Sequence, residues 1–407
     1  MNKYWFYIES YVYISIKNGK VLLFNTLNSE IAISDNPDVI SLVTKLNKRR
    51  NTQVALITDE DLSNQAVFEF INETRNKFMS DYYETSLTKK KPFQFIPYIK
   101  IHREIKYLKK ETESSIGENI KQYINKVVIF LNNECNHSCS YCNHAYKQYY
   151  TCTKSNTNEE LNYTDLLKFL SQLKNLAVNI TLTGGNIFKY KHLFDLIKYL
   201  KDNNFDTTIK VNYKNYLDFF DTINEYNINS YISIDSDISI NALQRLVNHS
   251  EKPNINLQIP VGNEKEFDTI SNLVNEYPQL ELEYLPYYRG DNIDFFQKNI
   301  FVNQEDIRST KPTYKSILIN TKINKNLFGQ LVITPSGNVF SNINAPKLGN
   351  LNQNVKELVL KEILSSNSWR KLRQNCIPCK NCNFRLLCPP ISNLELSMKK
   401  NNLCHIL

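Results

Sequence analysis

Glycine is scarce in this chain, at 9 of 407 residues, about 2% against a usual ~7%. Any glycine pair therefore marks a place where the backbone needs unusual freedom. Long apolar runs are missing too, and none approaches the ~18 residues of a membrane span. The aromatic start, MNKYWFYIESYVYISI, is divided by Glu9 and followed by no small-residue cleavage site. It reads as a strand rather than a signal peptide, so a cytoplasmic protein with no membrane partner is expected. Charge of one sign is also lacking. The 49 basic and 41 acidic residues leave +8, with the basic ones scattered, so nucleic acid is not demanded as a partner. With 42% hydrophobic residues, a wholly disordered chain is excluded. The length allows two or three domains of roughly 150 residues.

Cysteine, by contrast, is plentiful and clustered. Three of the nine fall at 135, 139 and 142, five at 376, 379, 382, 388 and 404, and only Cys152 stands apart. Tight clusters with short spacers in a reducing compartment point to metal ligation rather than disulfides.

The expected fold class is α/β, in three parts. Residues 1–110 read as a small α+β domain. A strand at 11–16, the turn Asn18-Gly19 and a return strand at 21–25 form a hairpin. A third strand falls within 26–33, and helices are expected over 38–46 and 59–78. The run Thr88-Lys89-Lys90-Lys91-Pro92 is a solvated connector. Residues 111–320 carry a strand–helix rhythm. Strands are expected at 126–132, 179–183, 207–212, 231–235, 255–261 and 280–285, with amphipathic helices such as 163–173, 192–200 and 266–277 between them. Six such units predict a parallel sheet with right-handed crossovers, an incomplete barrel whose ligands sit at the C-terminal strand ends. Cys135 and Gly184 both follow such ends and so share one rim. Residues 321–407 form a third part: a hairpin at 330–341 turned by Pro335-Ser336-Gly337, a helix at 355–364, and the cysteine-rich tail.

The first cluster, Cys135-Asn-His-Ser-Cys139-Ser-Tyr-Cys142, has C-x3-C-x2-C spacing. Three thiolates on one loop can hold three irons of a [4Fe–4S] cube and leave the fourth iron open to a chelating amine and carboxylate. A zinc site using the same cysteines with His137 or His144 is the competing reading, although zinc frameworks more often show two separated pairs. In its position after the first strand, the segment resembles the radical SAM superfamily. That family binds [4Fe–4S] and S-adenosylmethionine through C-x3-C-x-aromatic-C in a partial (β/α)6 barrel. The resemblance covers roughly residues 120–320. It implies Cys135, Cys139 and Cys142 as cluster ligands and Tyr141 at the adenine. The family's second marker, Gly-Gly-Glu after the second strand, binds the methionine amino group. Here Thr183-Gly184-Gly185-Asn186 stands in its place. Gly184 and Gly185 suit a close backbone approach. Asn186 offers an amide oxygen without charge, and charge-assisted bonds are roughly twice as strong as neutral ones, so weaker cofactor binding is expected. Asn212 and Asp235, at later strand ends, are either ribose or substrate contacts or ordinary strand-end turn residues.

The tail reads Cys376-x2-Cys379-x2-Cys382-x5-Cys388, then Cys404. Its spacing suits zinc or a four-thiolate cube. The pattern resembles the SPASM extension of radical SAM peptide maturases. There one auxiliary cluster takes C-x2-C-x5-C and a final cysteine, which implies Cys379, Cys382, Cys388 and Cys404 as ligands. A second auxiliary cluster of that family needs cysteines around the hairpin glycine and one shortly after the third tail cysteine. Gly337 matches the glycine, but Asn342 and Ser392 fill cysteine places and residues 321–327 contain none. One auxiliary cluster is therefore expected, acting as electron relay or fold staple. Cys376 is spare, an alternative to Cys404, and Cys152 is expected to be a plain thiol.

The N-terminal domain looks like the peptide-recognition element of ribosomal peptide maturases, which captures a leader peptide as an added strand. Over the whole chain, from KYWFYIESYVYISIKNGKVLLFNTLN onward, the sequence also resembles the pseudo-radical-SAM group of Bacteroidales double-glycine-leader peptide systems. These resemblances imply a precursor peptide with its leader, an electron donor of flavodoxin or ferredoxin type, S-adenosylmethionine, one radical SAM [4Fe–4S] cluster and one auxiliary [4Fe–4S] cluster. The expected activity is reductive cleavage of S-adenosylmethionine to a 5′-deoxyadenosyl radical that acts on the peptide. The alternative is a partner that binds clusters and leader without turnover, and a third reading is a zinc-binding regulator. No acid or base candidate emerges from the sequence.

Overall fold

The computed structural model describes residues 2–88, 90–96, 120–155, 157–250, 254–277 and 282–406. The expected boundary near residue 110 and the first two residues of the strand expected at 280–285 lie outside the described residues.

The N-terminal part holds two three-stranded antiparallel sheets. Strands β1 (Lys3–Ile8), β5 (Val54–Thr58) and β6 (Ser80–Glu84) form one, with β1 central. Strands β2 (Val12–Lys17), β3 (Lys20–Asn25) and β4 (Ile31–Ser34) form the other, with β3 central. The β2–β3 turn is Asn18-Gly19, with φ of 50° and 67°. Two left-handed residues in a row match the twist of the flanking strands. The helix expected over 59–78 is two helices, Asp59–Ser63 and Gln65–Asn76. Asn64 separates them, because its side chain accepts the Val67 N–H at 3.2 Å and caps the second.

Strand β3 is buried on both faces. Val21 and Leu23 pack with the helices Pro37–Asn47 and Gln65–Asn76. Leu22 and Phe24 pack with Ile307, Ile317 and the tail residues Cys382, Phe384, Leu386 and Leu387. That is why KVLLFN reads as a continuous apolar run rather than an alternating one.

The rest of the described chain is built on a mixed, mostly parallel nine-stranded sheet. Strands β7 (Lys126–Phe130), β8 (Asn179–Thr183), β9 (Asp206–Asn212), β10 (Asn229–Ser233), β11 (Ile255–Val261) and β12 (Leu282–Pro286) lie side by side in chain order, all parallel. The hairpin expected at 330–341 belongs to this same sheet. Its first strand, β13 (Gln330–Ile333), runs parallel beside β7, and β14 (Asn338–Phe340) and β15 (Lys347–Asn350) follow antiparallel. β7 is an apolar strand whose second edge would otherwise stand unpaired, and β13 covers it. Among the described residues no helix is long and apolar enough to cross a membrane.

Side chains alternate across each strand. Val127, Ile129, Ile180, Leu182, Ile209, Val211, Ile232 and Leu257 pack on the helical layer in one large core. The opposite face is mixed, carrying Lys126, Thr181, Lys210, Tyr231, Gln258 and Glu283 beside an apolar patch of Val128, Phe130 and Val332. Lys210 donates to the Tyr149 carbonyl at 3.0 Å and lies 5.5 Å from the centre of the Tyr231 ring. Burial lowers its pKa to about 8, and neighbouring Lys126 adds to the shift.

A lysine whose folded pKa is depressed binds fewer protons folded than unfolded between the two values. Its contribution to stability therefore rises as pH climbs from about 8 toward the ordinary 10.5. Lys210→Met should remove that rise. Chemical denaturation of both proteins at neutral pH and at about pH 10 checks this, and an unchanged rise in the variant would contradict it.

Candidate functional site

The site begins with two strand ends tied together. Beyond β7, the Leu131 N–H donates to the Thr183 carbonyl at 2.8 Å. The Gly185 N–H donates to the Asn132 carbonyl at 2.9 Å and to its side-chain oxygen at 3.0 Å. The Asn186 N–H reaches the Glu134 carbonyl at 2.6 Å, and Asn132 Nδ2 returns a bond to the Asn186 carbonyl at 2.8 Å. Lys189 forms an ion pair with Glu134 across the same seam.

The two glycines make this contact sterically allowed. Gly184 has φ of +149°, and a Cβ there would come within 2.6 Å of the Asn132 carbonyl oxygen. At Gly185 a Cβ would run into the Glu134 carbonyl, closer still. The close backbone approach expected at these glycines is made here to the chain's own strand end, at Asn132, Asn133 and Glu134. Asn186 places one lone pair of its side-chain oxygen on the Phe188 N–H at 3.1 Å, capping a short 3-10 turn at Ile187–Lys189.

The seam carries the cysteine loop at the C-terminal rim of the sheet. Cys135, Cys139 and Cys142 are half-buried thiols, and Cys142 opens the helix Cys142–Tyr149. Burial raises the Cys139 thiol, and the Asp235 carboxylate adds to this. Burial and then the neighbouring Cys135 push Cys142 up to about 11.

Asn212 and Asp235 are brought to the same point. Asn212, at the end of β9, has its Nδ2 3.0 Å from the Tyr141 hydroxyl, 3.2 Å from Asp235 Oδ1 and 3.5 Å from Cys139 Sγ. Its Oδ1 accepts the Lys214 N–H at 2.9 Å, capping the helix Tyr213–Asp218. The turn-residue reading of Asn212 is realised as this helix cap, which also holds its amide beside Tyr141 and Cys139. Asp235 is buried, and burial raises its carboxyl against the pull of Lys214, whose ammonium lies 3.2 Å away. Lys214 escaped the sequence reading. Its one signal was position, two residues beyond a strand's C-terminal end.

Tyr141 is fully buried, edge-on to Tyr287 with ring centres 6.5 Å apart. Cys152 is also here rather than apart, with its sulfur 3.7 Å from the Tyr141 hydroxyl. The His137 ring is bonded to Asn215 Oδ1 at 2.9 Å. Among the described residues no three His, Cys, Asp or Glu side chains converge tightly enough to share a single metal ion. Ligands of a four-iron cube each serve a different iron and need no such convergence.

The tail forms the second thiol set. Cys379, Cys382, Cys388 and Cys404 line one small cavity with Arg373 and Arg385. Cys404 is brought there by a backbone bridge to Val302. Cys376 lies off this cavity. Burial raises its thiol, while Lys371 and Arg373 oppose the rise and Glu395 adds to it. Burial pushes Cys388 up to about 12. Arg373 makes a bidentate bond to the buried Glu395 at 2.9 and 3.1 Å, and its Nη1 lies 3.9 Å from Cys379 Sγ.

Asn342, Ser392 and the segment 321–327 are fixed by hydrogen bonds. Asn342 donates to Asn393 Oδ1 at 2.9 Å, and Asn393 in turn donates to the Lys147 carbonyl at 2.8 Å. Ser392 and Glu395 form a reciprocal cap on the helix Asn393–Ser397. Asn324 donates to the Lys371 and Ile391 carbonyls at 3.1 and 2.9 Å.

No protein-family model matches the chain, and no curated protein does. Solved structures do. The crystal structure of Streptococcus suis SuiB bound to S-adenosylmethionine is similar at 10% identity and a TM-score of 0.41, over 98% of this chain and 97% of that one. A second crystal structure of Streptococcus suis SuiB is similar at 11% identity and a TM-score of 0.41, over 97% of each chain.

Gly185→Ala should force the two strand ends apart and destabilise the protein by about 1–3 kcal/mol. Denaturant midpoints at constant m-value measure this. A variant as stable as the parent would show that the seam is not tightly packed.

Proposed function

We propose that this chain is a radical SAM enzyme that modifies a ribosomally made precursor peptide. Cys135, Cys139 and Cys142 would hold a [4Fe–4S] cube, and Cys379, Cys382, Cys388 and Cys404 an auxiliary one. The donor sets suit these groups, being thiols held on backbone that hydrogen bonds already fix. When bound, the first cluster supplies the electron that cleaves S-adenosylmethionine to methionine and a 5′-deoxyadenosyl radical. The observation that carries the reading is the rim itself. A three-thiol loop on the first strand end is seamed to a Gly-Gly turn on the second, with Asn212 and Asp235 reaching it from the third and fourth.

The chain's residues contribute charge and exclusion of water. The Lys214–Asp235 pair offers one group of each sign to a zwitterionic ligand. Buried Tyr141 and Tyr287 close the floor, which strengthens those interactions by keeping water out. The N-terminal sheets would receive the leader of the peptide along an edge. Because β3 packs directly on the tail, leader capture and the auxiliary site would share one structural unit. A reductant of flavodoxin or ferredoxin type would supply electrons.

A second reading, a partner that holds clusters and leader without turnover, is favoured by one observation. Asn186 presents a neutral amide, and part of its oxygen's capacity is spent on Phe188.

The experiment is calorimetry with S-adenosylmethionine on anaerobically reconstituted protein, followed by dithionite reduction and assay for 5′-deoxyadenosine. The enzyme reading expects binding and 5′-deoxyadenosine. Neither would appear if the chain is a non-catalytic partner.

A further inference from the structure

We propose that Cys152 is a fourth sulfur ligand at the first thiol site, closing the corner of the cube that Cys135, Cys139 and Cys142 leave open when no chelating small molecule occupies it. The inference rests on reading that loop as a [4Fe–4S] site.

The backbone makes Cys152 part of the site even though it lies ten residues beyond the motif. The helix Cys142–Tyr149 carries the chain away from the rim. Tyr150 then adopts a left-handed conformation, φ 55°, and reverses it. The returning segment is stitched to both strand-end loops. The Thr153 N–H donates to the Gly184 carbonyl at 2.8 Å, and the Ser155 N–H to the Asn133 carbonyl at 3.1 Å. Lys154 Nζ reaches the His137 carbonyl, inside the cysteine loop, at 3.1 Å. Cys152 is thus held at the level of the thiol loop by bonds on its own side of the seam.

The side chains agree. Cys152 is 4% exposed, with its sulfur 3.7 Å from the Tyr141 hydroxyl. That hydroxyl lies 3.0 Å from Asn212 Nδ2, which is itself 3.5 Å from Cys139 Sγ. Two thiols are therefore linked through one tyrosine and one asparagine. Cys152 also packs in one small cluster with Tyr141, Ala145 and Tyr287, against which Cys139 is packed. All nine cysteines are free thiols, Cys152 included.

The chemistry needs no oxidant. On ligation the thiol would give up its proton as its sulfur took the place of the fourth iron's exchangeable ligand, and no electron would change hands. A small-molecule chelator would have to displace that sulfur. The open corner becomes a guarded one.

The test uses the full chain, anaerobically reconstituted, as wild type, Cys152→Ala and Cys152→Ser. Each is treated with one equivalent of ferricyanide and read by EPR. An iron lacking a protein sulfur is shed on mild oxidation and leaves a three-iron cluster, whereas four-sulfur cubes resist. Wild type should give little three-iron signal, and both variants about one spin per chain. The serine variant keeps a hydroxyl for Tyr141, which separates ligation from packing. A full three-iron signal from wild type overturns the proposal, whatever the variants do, and leaves the cluster reading standing. The cluster reading itself fails, and the proposal with it, if wild-type iron is lost entirely in Cys379→Ala/Cys382→Ala while that variant remains folded.

Discussion

The rim of this molecule depends on one close approach of backbone to backbone. Gly184 and Gly185 lie against Asn132 and Glu134 so tightly that a single added methyl group on either would collide with a carbonyl. In a chain with so little glycine, two adjacent residues of that type are spent here. The reward is a hydrogen-bonded seam that fixes the origin of the cysteine loop. Everything chemical at this end is positioned from it: the three thiols, the tyrosine among them, and the segment that returns Cys152. Asn212 and Asp235 then meet Cys139 and Tyr141 from the neighbouring strands.

The second thiol set is positioned differently. Its cysteines follow short turns rather than strand ends, and they are held by a buried Arg373–Glu395 pair and by packing on β3. Removing either partner of such a pair leaves a buried charge uncompensated, commonly a cost of about 3–5 kcal/mol. The apolar outer face of β3 and the side chains of Asn383 and Arg385 join the N-terminal sheet to the tail. Asn324, Asn342 and Ser392 have their polar atoms satisfied by hydrogen bonds, which ties the tail to the sheet and to the helix Cys142–Tyr149.

Much of the sheet was legible because strand length, alternation and turn residues are local. Six parallel strands in order follow from the rhythm of residues 126–286. The union of β13 with β7 was not legible, since it depends on which edge remains open after the sheet is assembled. The break at Asn64 was hidden by helical spacing on both sides of it. At the site, spacing picked out the cysteine loop and the glycine pair, but not that the glycines face the chain's own backbone. That Lys214 and Cys152 lie at this rim was not legible for a related reason. One depends on a helix cap at Asn212, the other on a left-handed residue at Tyr150 that carries no glycine to announce it.

The proposed chemistry stands on the bend at Cys135, Cys139 and Cys142 gripping an iron–sulfur cube. Iron and acid-labile sulfide per chain, with Mössbauer spectra, measure it most directly in oxygen-free wild type and in a variant with those three cysteines changed to alanine. About eight irons are expected in the wild type and about four in the variant, as two four-iron cubes require. Equal iron in the two proteins, or zinc in place of iron and sulfide, would contradict it.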